Sequence, residues 1–309
     1  MNFNSTDYFI VLAEERNFSR AAQRLYITQQ SLSAHIASVE AELGCTLVER
    51  SNPLELTYAG QVFLKYAKNL HNTIIAMKQE MSDISKTEEG TLRVGIEYSR
   101  SVALMPDIVT EFHRRHPKVM VTLYDDSDLQ RQLVLDNLDV IVVYAKENPV
   151  NVVYEPFYRD STVMLVNREL LQELDIGIKD VEKSLQYGNL NAMRNCPFIM
   201  SQVKGRTEQI FHSIMSHSDF EPIVHGQGNN SATMVGLCVK KFGACLIPAS
   251  VMSKLVSEED MKQLAVFPIP PAYDYQVYFA YKKRSYVWSM VKEIIELSRE
   301  YVNHVISDQ

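Results

Sequence analysis

Apolar positions follow three successive rhythms along the chain. In the first, Leu32, Ile36, Val39 and Leu43 recur at spacings of four, three and four, which sets them on one face of a helix running from Thr28 to about Glu42. A shorter helix precedes it over Arg20-Ala21-Ala22-Gln23-Arg24-Leu25, with Ser19 placed to cap it. Tyr26-Ile27 is the turn, Thr28 caps the second helix and Gly44 ends it. Leu47-Val48-Glu49-Arg50 and Leu54-Glu55-Leu56-Thr57 flank Ser51-Asn52-Pro53 as the two arms of a hairpin. Two short helices, a tight turn and a hairpin make a winged helix-turn-helix.

The second rhythm spans Tyr58 to about Ser85. Phe63, Ala67, Leu70, Ile74, Met77, Met81 and Ile84 alternate spacings of four and three without a break, the a/d repeat of a coiled-coil seam. Lys65, Lys68, Asn69, Asn72, Lys78 and Asp83 are expected to keep the other faces wet. The stripe could pack on its own domain, but a long exposed helix is poorly stabilised alone. A second copy of the chain is therefore the expected partner. Two copies of a reading helix then suit a two-fold symmetric site, an interrupted inverted repeat.

After the polar hinge Lys86-Thr87-Glu88-Glu89-Gly90, strands and helices alternate. Strands are predicted at Leu92–Ile96, Val119–Leu123 and Val140–Tyr144, with helices over Ala103–Arg115 and Leu129–Asn137 between them, which implies a parallel sheet. The same rhythm resumes with strands at 162–166, 198–200 and 244–247, helices over 208–217 and 232–240, a strand at 277–281 and a closing amphipathic helix from Trp288 to Val305. A length of 309 residues is too great for one ordinary core. The predicted organisation is a winged helix-turn-helix over 1–58 (the helix-turn-helix itself at about 18–37), a linker and dimerisation helix with its hinge over 59–89, and an α/β domain over 90–309.

The solvent face of the second helix carries Gln30, Ala34, Ala37, Ser38 and Ala41, with Gln29, Ser31 and Ser33 near its start. None is charged. Small side chains allow a backbone to approach a major groove, and an amide can pair twice with a base edge. An alanine-rich face can also pack on another helix, so spacing alone leaves an ordinary three-helix motif open.

Residues Phe18-Ser19-Arg20-Ala21-Ala22, Leu25, Thr28-Gln29-Gln30-Ser31-Leu32-Ser33, Ile36, Glu40, Leu43-Gly44, Arg50, Leu56-Thr57 and Ala59-Gly60 resemble the N-terminal domain of LysR-type transcriptional regulators. Two positions depart: Gln30 stands where proline or serine is common, and Val48 where phenylalanine is usual. The resemblance implies that Gln29, Gln30, Ser33, Ala34 and His35, together with Thr28 and Ser31, face the groove of double-stranded DNA, and that Arg50 and Asn52 meet the backbone near the wing. The second half resembles the effector domain of the same family, which is similar to a type 2 periplasmic binding protein. The marks are Leu104-Met105-Pro106, Phe112, Pro117, Leu138-Asp139, Gly243 and Ile247-Pro248, while 180–195 matches nothing in the pattern. The resemblance implies one lobe from 91–161 with 267–309, another from 162–266, and a small-molecule effector between them. It also implies dimers, which can pair into tetramers, and contact with RNA polymerase.

Ligands of open α/β sheets sit at the carboxyl ends of strands. Two polar strand-to-helix junctions qualify, Tyr98-Ser99-Arg100-Ser101 and Gly228-Asn229-Asn230-Ser231, with Ser201 and Gln202 as a third wall. Helix starts favour anions, so a small organic anion is expected. The same residues could simply be caps.

Other features exclude chemistry. His113 and His116, and His212 and His217, have no third ligand nearby, so no metal is expected. There is no phosphate-binding glycine loop and no nucleophile-elbow serine, so neither a cofactor nor enzyme activity is expected. Cys45, Cys196, Cys238 and Cys245 are expected to be ordinary thiols, the last two buried. Without a leader or a membrane-length apolar run, a cytoplasmic protein is expected. The competing reading is a binding protein or enzyme with a helical appendage, but neither needs a helix-turn-helix followed by an unbroken heptad seam.

Charge changes the picture of DNA binding. The chain carries −7, with a pI near 5.7. Residues 1–60 hold four arginines against seven acidic residues, a net of −3. A domain with so few cations depends on placed arginines, on helix starts aimed at phosphates and on more than one copy per site. Non-specific binding by the isolated domain should therefore be weak, with a salt dependence well short of the log–log slope of roughly −5 to −9 that six to ten phosphate contacts produce. Fluorescence anisotropy across a salt series checks this, and a steep slope would refute it.

Overall fold

The computed structural model describes residues 3–49, 51, 53–125, 128–144, 151–202, 205–284 and 286–307. The chain divides into two compact units, residues 1–87 with 135–137, and residues 88–134 with 138–309.

The first unit opens with a helix the periodicity reading passed over, α1 (Phe3–Glu15). Phe9 and Leu12 of α1 are fully buried and join Ala21, Ala22, Leu32, Ile36, Val39, Leu47, Val48 and Leu54 in one core. Helix α2 (Phe18–Arg24) is capped by Asn17, whose Oδ1 accepts from the Arg20 N–H at 3.0 Å, and not by Ser19. Asn17 has the extended backbone that a cap requires, whereas Ser19 is already inside the helix. Helix α3 (Gln29–Leu43) starts at Thr28, whose Oγ1 accepts from Ser31 N–H at 3.1 Å, and ends at left-handed Gly44. Leu43 does not share the buried face: it is 46% exposed, because the core that holds Leu32, Ile36 and Val39 ends one turn earlier. There Glu40 Oε1 accepts from the N–H groups of Leu47 and Val48 and pins the wing to α3. The wing pairs β1 (Val48–Glu49) with antiparallel β2 (Glu55–Leu56).

Helix α4 (Tyr58–Ser85) is capped by Thr57 and packs on α1, where Phe9 and Phe63 meet edge to face at 4.8 Å and His71 Nδ1 lies 2.8 Å from Asp7 Oδ1. The predicted seam therefore splits. Phe63 and Ala67 are used inside the unit, while Leu70, Met77, Met81 and Ile84 are 41–67% exposed. Exposed Val62 and Tyr66 extend the free stripe towards the helix start; at 100° per residue all six lie within an arc of about 100°. Asn72, expected to face water, is buried, and its amide donates to the Leu135 carbonyl at 3.0 Å.

In the second unit, β3 (Gly90–Ile96), α5 (Tyr98–Arg115), β4 (Val119–Tyr124), α6 (Leu129–Val134) and β5 (Val140–Val143) follow the predicted alternation, and β3 is parallel to both β4 and β5. Helix α5 begins five residues earlier than predicted, because the Glu97 carboxylate caps the Ser99 and Arg100 N–H groups. Asp139 binds the Arg93 guanidinium at two points and the Arg93 N–H, locking β3 to the approach of β5. The strand β6 (Val152–Asp160) then runs into β7 (Thr162–Asn167), followed by α7 (Arg168–Glu173), α8 (Ile178–Gln186), β8 (Pro197–Ser201), α9 (Arg206–Met215), β9 (Ile223–Gly228), α10 (Ser231–Val239), β10 (Cys245–Pro248), α11 (Ala249–Leu255), α12 (Glu258–Gln263), β11 (Leu264–Pro268), β12 (Tyr275–Lys282) and α13 (Ser289–Ser307).

The strands form a five-stranded sheet, β4-β3-β5-β12-β6, and a second lobe in which β7 lies between β10 and β11 beside the parallel pair β8-β9. The purely parallel expectation fails where β12, β10 and β11 enter: each pairs antiparallel with its neighbour. The strands β7 and β12 each follow a crossing between lobes, so the one-lobe crossover rule does not set their direction relative to the neighbours they join. The chain crosses at Ser161 and returns over 269–274.

Gly60 generates the test of this packing. A Cβ there would lie 2.0 Å from the Leu47 carbonyl oxygen, whereas one at Gly236 on α10 meets nothing within 4 Å. Gly60→Ala should destabilise the first unit by about 1–3 kcal/mol. Gly236→Ala should stabilise by about 0.5–1 kcal/mol. Calorimetric unfolding of the full chain measures both, and an unchanged first transition in Gly60→Ala would contradict the close approach of α4 to the wing.

Candidate nucleic-acid interface and ligand cleft

The exposed side of α3 collects the residues picked from sequence. Thr28, Gln29, Gln30, Ser31 and Ala34 are exposed, and Ser33 and His35 are half-buried. Gln29 is held: its Oε1 accepts from Ser19 Oγ at 2.9 Å, so Ser19 serves as a clip between α2 and α3. His35 stands edge-on to Tyr8 of α1, with ring centroids 5.0 Å apart, which fixes its direction. Arg50 and Asn52 lie outside the described residues.

Two of the remaining arginines, Arg20 and Arg24, are committed elsewhere. Arg24 Nη1 lies 2.9 Å from Glu14 and 3.1 Å from Glu15, and hydrogen bonding to Glu15 raises its pKa. Arg20 donates to the Glu15 carbonyl and sits 3.6 Å from its carboxylate. Such exposed pairs add little stability, but they lower the positive charge available beside the reading face.

In the second unit a cavity of about 60 Å³ lies between the lobes. Of the predicted ligand residues it brings together Arg100, Ser201, Asn229, Asn230 and Ser231; Ser99, Ser101 and Gln202 do not line it. Ser99 is buried behind the wall, where its Oγ accepts from Ser231 N–H at 3.0 Å and joins α5 of one lobe to the start of α10 in the other. Asn230 caps α10 through Thr233 N–H at 2.9 Å, so this helix start is already satisfied. Exposed Gln202 is turned into the sheet by its backbone, its N–H donating to the Gly228 carbonyl.

Arg100 is a buried structural cation. It donates to Asp160 Oδ2 at 3.1 Å, Tyr275 OH at 2.7 Å and Tyr158 OH at 3.2 Å, with Glu97 at 3.8 Å. Burial opposes its charge, yet Tyr275, Tyr158, Asp160 and Glu97 together hold its pKa well above the ordinary value. Burial also pushes both phenols upward, so they stay protonated at neutral pH and the carboxylates supply the compensating charge.

Sequence reasoning missed Glu97, Tyr144, Gly205, Arg206, Thr207 and Tyr275, all of which line the cavity. Arg206 opens α9, whose cap position Gly205 offers no side-chain hydrogen bond. Its guanidinium lies over Tyr275, 5.6 Å from the ring centroid, opposite Arg100 at 5.8 Å from the same ring. The buried Arg206 Nε has no hydrogen-bond partner, Nη1 reaches only Gln209 at 3.5 Å, and no carboxylate pairs with it among the described residues. The signal in the sequence was the Gly205-Arg206-Thr207 start of an amphipathic helix.

A larger depression of about 660 Å³ is walled by Leu185, Phe267 and Pro271, with Glu182 and Asp274 as its charged residues. Among the described residues no cationic side chain lines it, so it does not suit an anion. Cys196, Cys238 and Cys245 are buried, and burial raises the Cys196 thiol to about 12, which suppresses thiolate chemistry; Cys45 is exposed. Among the described residues no group of three or more His, Cys, Asp or Glu side chains could hold a metal, and no helix is long and apolar enough to cross a membrane.

Residues 3–61 match the bacterial regulatory helix-turn-helix protein, lysR family, and residues 85–303 match the LysR substrate binding domain. The transcriptional regulator YcgK of Bacillus subtilis is 24% identical over 319 residues, covering 100% of this chain and 97% of its own. AlsR, a transcriptional regulator of the same organism, is 33% identical over 147 residues, 47% of this chain and 49% of its own. Among solved structures, full-length CbnR complexed with its target DNA has a TM-score of 0.68 at 19% identity, covering 97% of this chain and 99% of that one. Full-length OxyR of Pseudomonas aeruginosa has a TM-score of 0.64 at 17% identity, covering 97% and 98%. At such identities the structures establish a shared fold. The two family matches together span nearly the whole chain, and they set aside the enzyme with a helical appendage: the chain belongs to the LysR family of DNA-binding, effector-responsive transcriptional regulators.

Proposed function

We propose that this regulator reads an interrupted inverted repeat as a homo-oligomer and changes its DNA geometry when a small organic anion occupies the interlobe cleft. Residues 1–58 read, 59–89 couple and 90–309 sense. Gln29, Gln30, Ser33, Ala34 and His35 meet base edges, Thr28 and Ser31 set the helix start against the backbone, and Arg50 and Asn52 hold phosphates beside the wing. The observation that carries this part is the exposed run Gln29, Gln30, Ser31, Ala34, Ala37, Ser38 and Ala41 of α3, which has no charged side chain to desolvate in a groove.

The free stripe of α4 supports pairing with a second copy through Leu70, Ile74, Met77, Met81 and Ile84. Phe63 and Ala67 hold that helix on its own domain instead. Exposed apolar side chains at regular helical spacing are costly in water and gain most from an identical neighbour. Two reading helices fixed by one seam then bind two half-sites together.

Arg206 supports an anionic effector. The lobes are already joined by Ser99 to Ser231 and by Asp160 to Ser250, so an anion seated between them would bias their relative position. The seam carries that shift to the half-site spacing, and contact with RNA polymerase follows in the cytoplasm.

Selection of fragments of the source genome with the purified full-length protein tests the reading as a whole. Enrichment of an interrupted inverted repeat is expected, and none with or without added anions would overturn it. Gln30→Ala should relax base preference at one position by about 1–3 kcal/mol, whereas Arg50→Ala should weaken binding to every sequence alike; equal losses on all DNA from both would reject the assigned roles. Met77→Glu combined with Met81→Glu should convert the oligomer to smaller species in sedimentation velocity, and an unchanged mass would remove the α4 seam from the interface.

A further inference from the structure

The charges of the cleft are unevenly matched. On one wall Arg100 is compensated by Asp160 at 3.1 Å and by Glu97 at 3.8 Å. On the other, Arg206 has no carboxylate partner among the described residues, and its Nε is buried without a hydrogen bond. That Nε has no exposed surface, so the demand for an acceptor in the cavity comes from the outer edge of the guanidinium, which lines it without a carboxylate among the described residues. The two helix starts differ in the same sense. The α10 start is taken by Asn230 and Ser99, while α9 begins at Gly205 with no side-chain cap. Glu208, the acid in the first turn of α9, does not line the cavity; its carboxylate lies 3.8 Å from His212. The site therefore offers one uncompensated cation and one open set of N–H groups, side by side. A second negative charge would face Glu97, which lines the cavity with its carboxylate already among the α5 N–H groups.

Volume narrows the ligand further. The cavity of about 60 Å³ holds roughly four to six water-sized centres and falls well below the roughly 150 Å³ that admits a benzene ring. Met234, Leu246 and Pro248 give it an apolar side, while Ser201, Thr207 and Asn229 supply hydrogen-bonding groups.

Resting on the anionic-effector reading above, we infer that the effector is a compact monocarboxylate of about four to six heavy atoms. Its carboxylate lies on Arg206 and the start of α9, and its short tail points towards Met234 and Leu246. The carboxylate meets the outer nitrogens of the Arg206 guanidinium, whose planar fork favours a bidentate partner.

The test is calorimetric titration of the full-length protein with acetate, propionate, butyrate, pyruvate, succinate and benzoate, against chloride at matched ionic strength. The short monocarboxylates should bind saturably, and succinate and benzoate should bind at least about tenfold more weakly. Arg206→Gln should weaken the best ligand about tenfold or more, with Arg206→Lys intermediate because it keeps the charge and loses the fork. Tighter binding of succinate or benzoate, still lost in Arg206→Gln, would overturn the inferred size and valence while leaving an anion in the cleft. No binding by any of these anions, or binding unchanged in both folded Arg206 variants, would overturn the inference together with the anionic-effector reading.

Discussion

The effector domain is organised around the carboxylate of Asp160. It stands where β6 leaves one lobe for β7 in the other, and its side chain is 2% exposed. Its oxygens accept from Arg100 Nη2, from Ser250 N–H and Oγ, and from Ser161 N–H. These donors come from α5 on one lobe, α11 on the other and the crossing itself. A buried ion pair of this kind is weak evidence of net stability, because desolvation offsets much of the attraction. Its consequence is geometric: removing one partner strands the other, so the lobes meet in few arrangements. Because Arg100 is occupied in this way, the proposed anion contact is assigned to Arg206.

A comparable commitment of charge shapes the reading unit. Arg20 and Arg24 are drawn to Glu14 and Glu15 at the end of α1. Phe63 stands edge to face with Phe9 of the same helix, and Ala67 is buried within the unit. Helix α1 thus engages two arginines and Phe63 of the predicted seam. What remains is the uncharged exposed run from Gln29 to Ala41 on α3 and a shortened stripe on α4. Both work better in pairs, since a weakly cationic reader gains affinity chiefly from a second attached copy.

The local elements were the most legible. Thr28 and Gly44 bound α3 as their cap chemistry requires, and α4 runs from Tyr58 to Ser85 as the repeat indicated. The alternation after Gly90 located β3, β4, β5, β7, β8, β10 and β12 close to where they occur. Legibility fell where several residues were equally qualified. Asn17 and Ser19 are both good caps, and only backbone geometry separates them. Helix α1 and strands β6, β9 and β11 carry no strong period of their own. The cleft was half legible: Asn229, Asn230, Ser231 and Ser201 stand at strand-to-helix junctions, whereas Tyr144, Tyr275 and Arg206 come from segments distant in sequence.

By itself the sequence determined which segments become helices and strands, where the reading helix starts and stops, and that a helix-turn-helix precedes a seam and an α/β domain. Those features rest on periodicity and on caps, which act over a few residues. The tertiary structure decided strand direction across the two lobe crossings, which seam residues stay exposed, and which cleft arginine lacks a carboxylate partner among the described residues. Each of those outcomes is a competition between groups far apart along the chain. Arg100 and Arg206 both line the cavity and are alike as residues, and only the fold sets one of them against Asp160 and leaves the other without a carboxylate partner among the described residues.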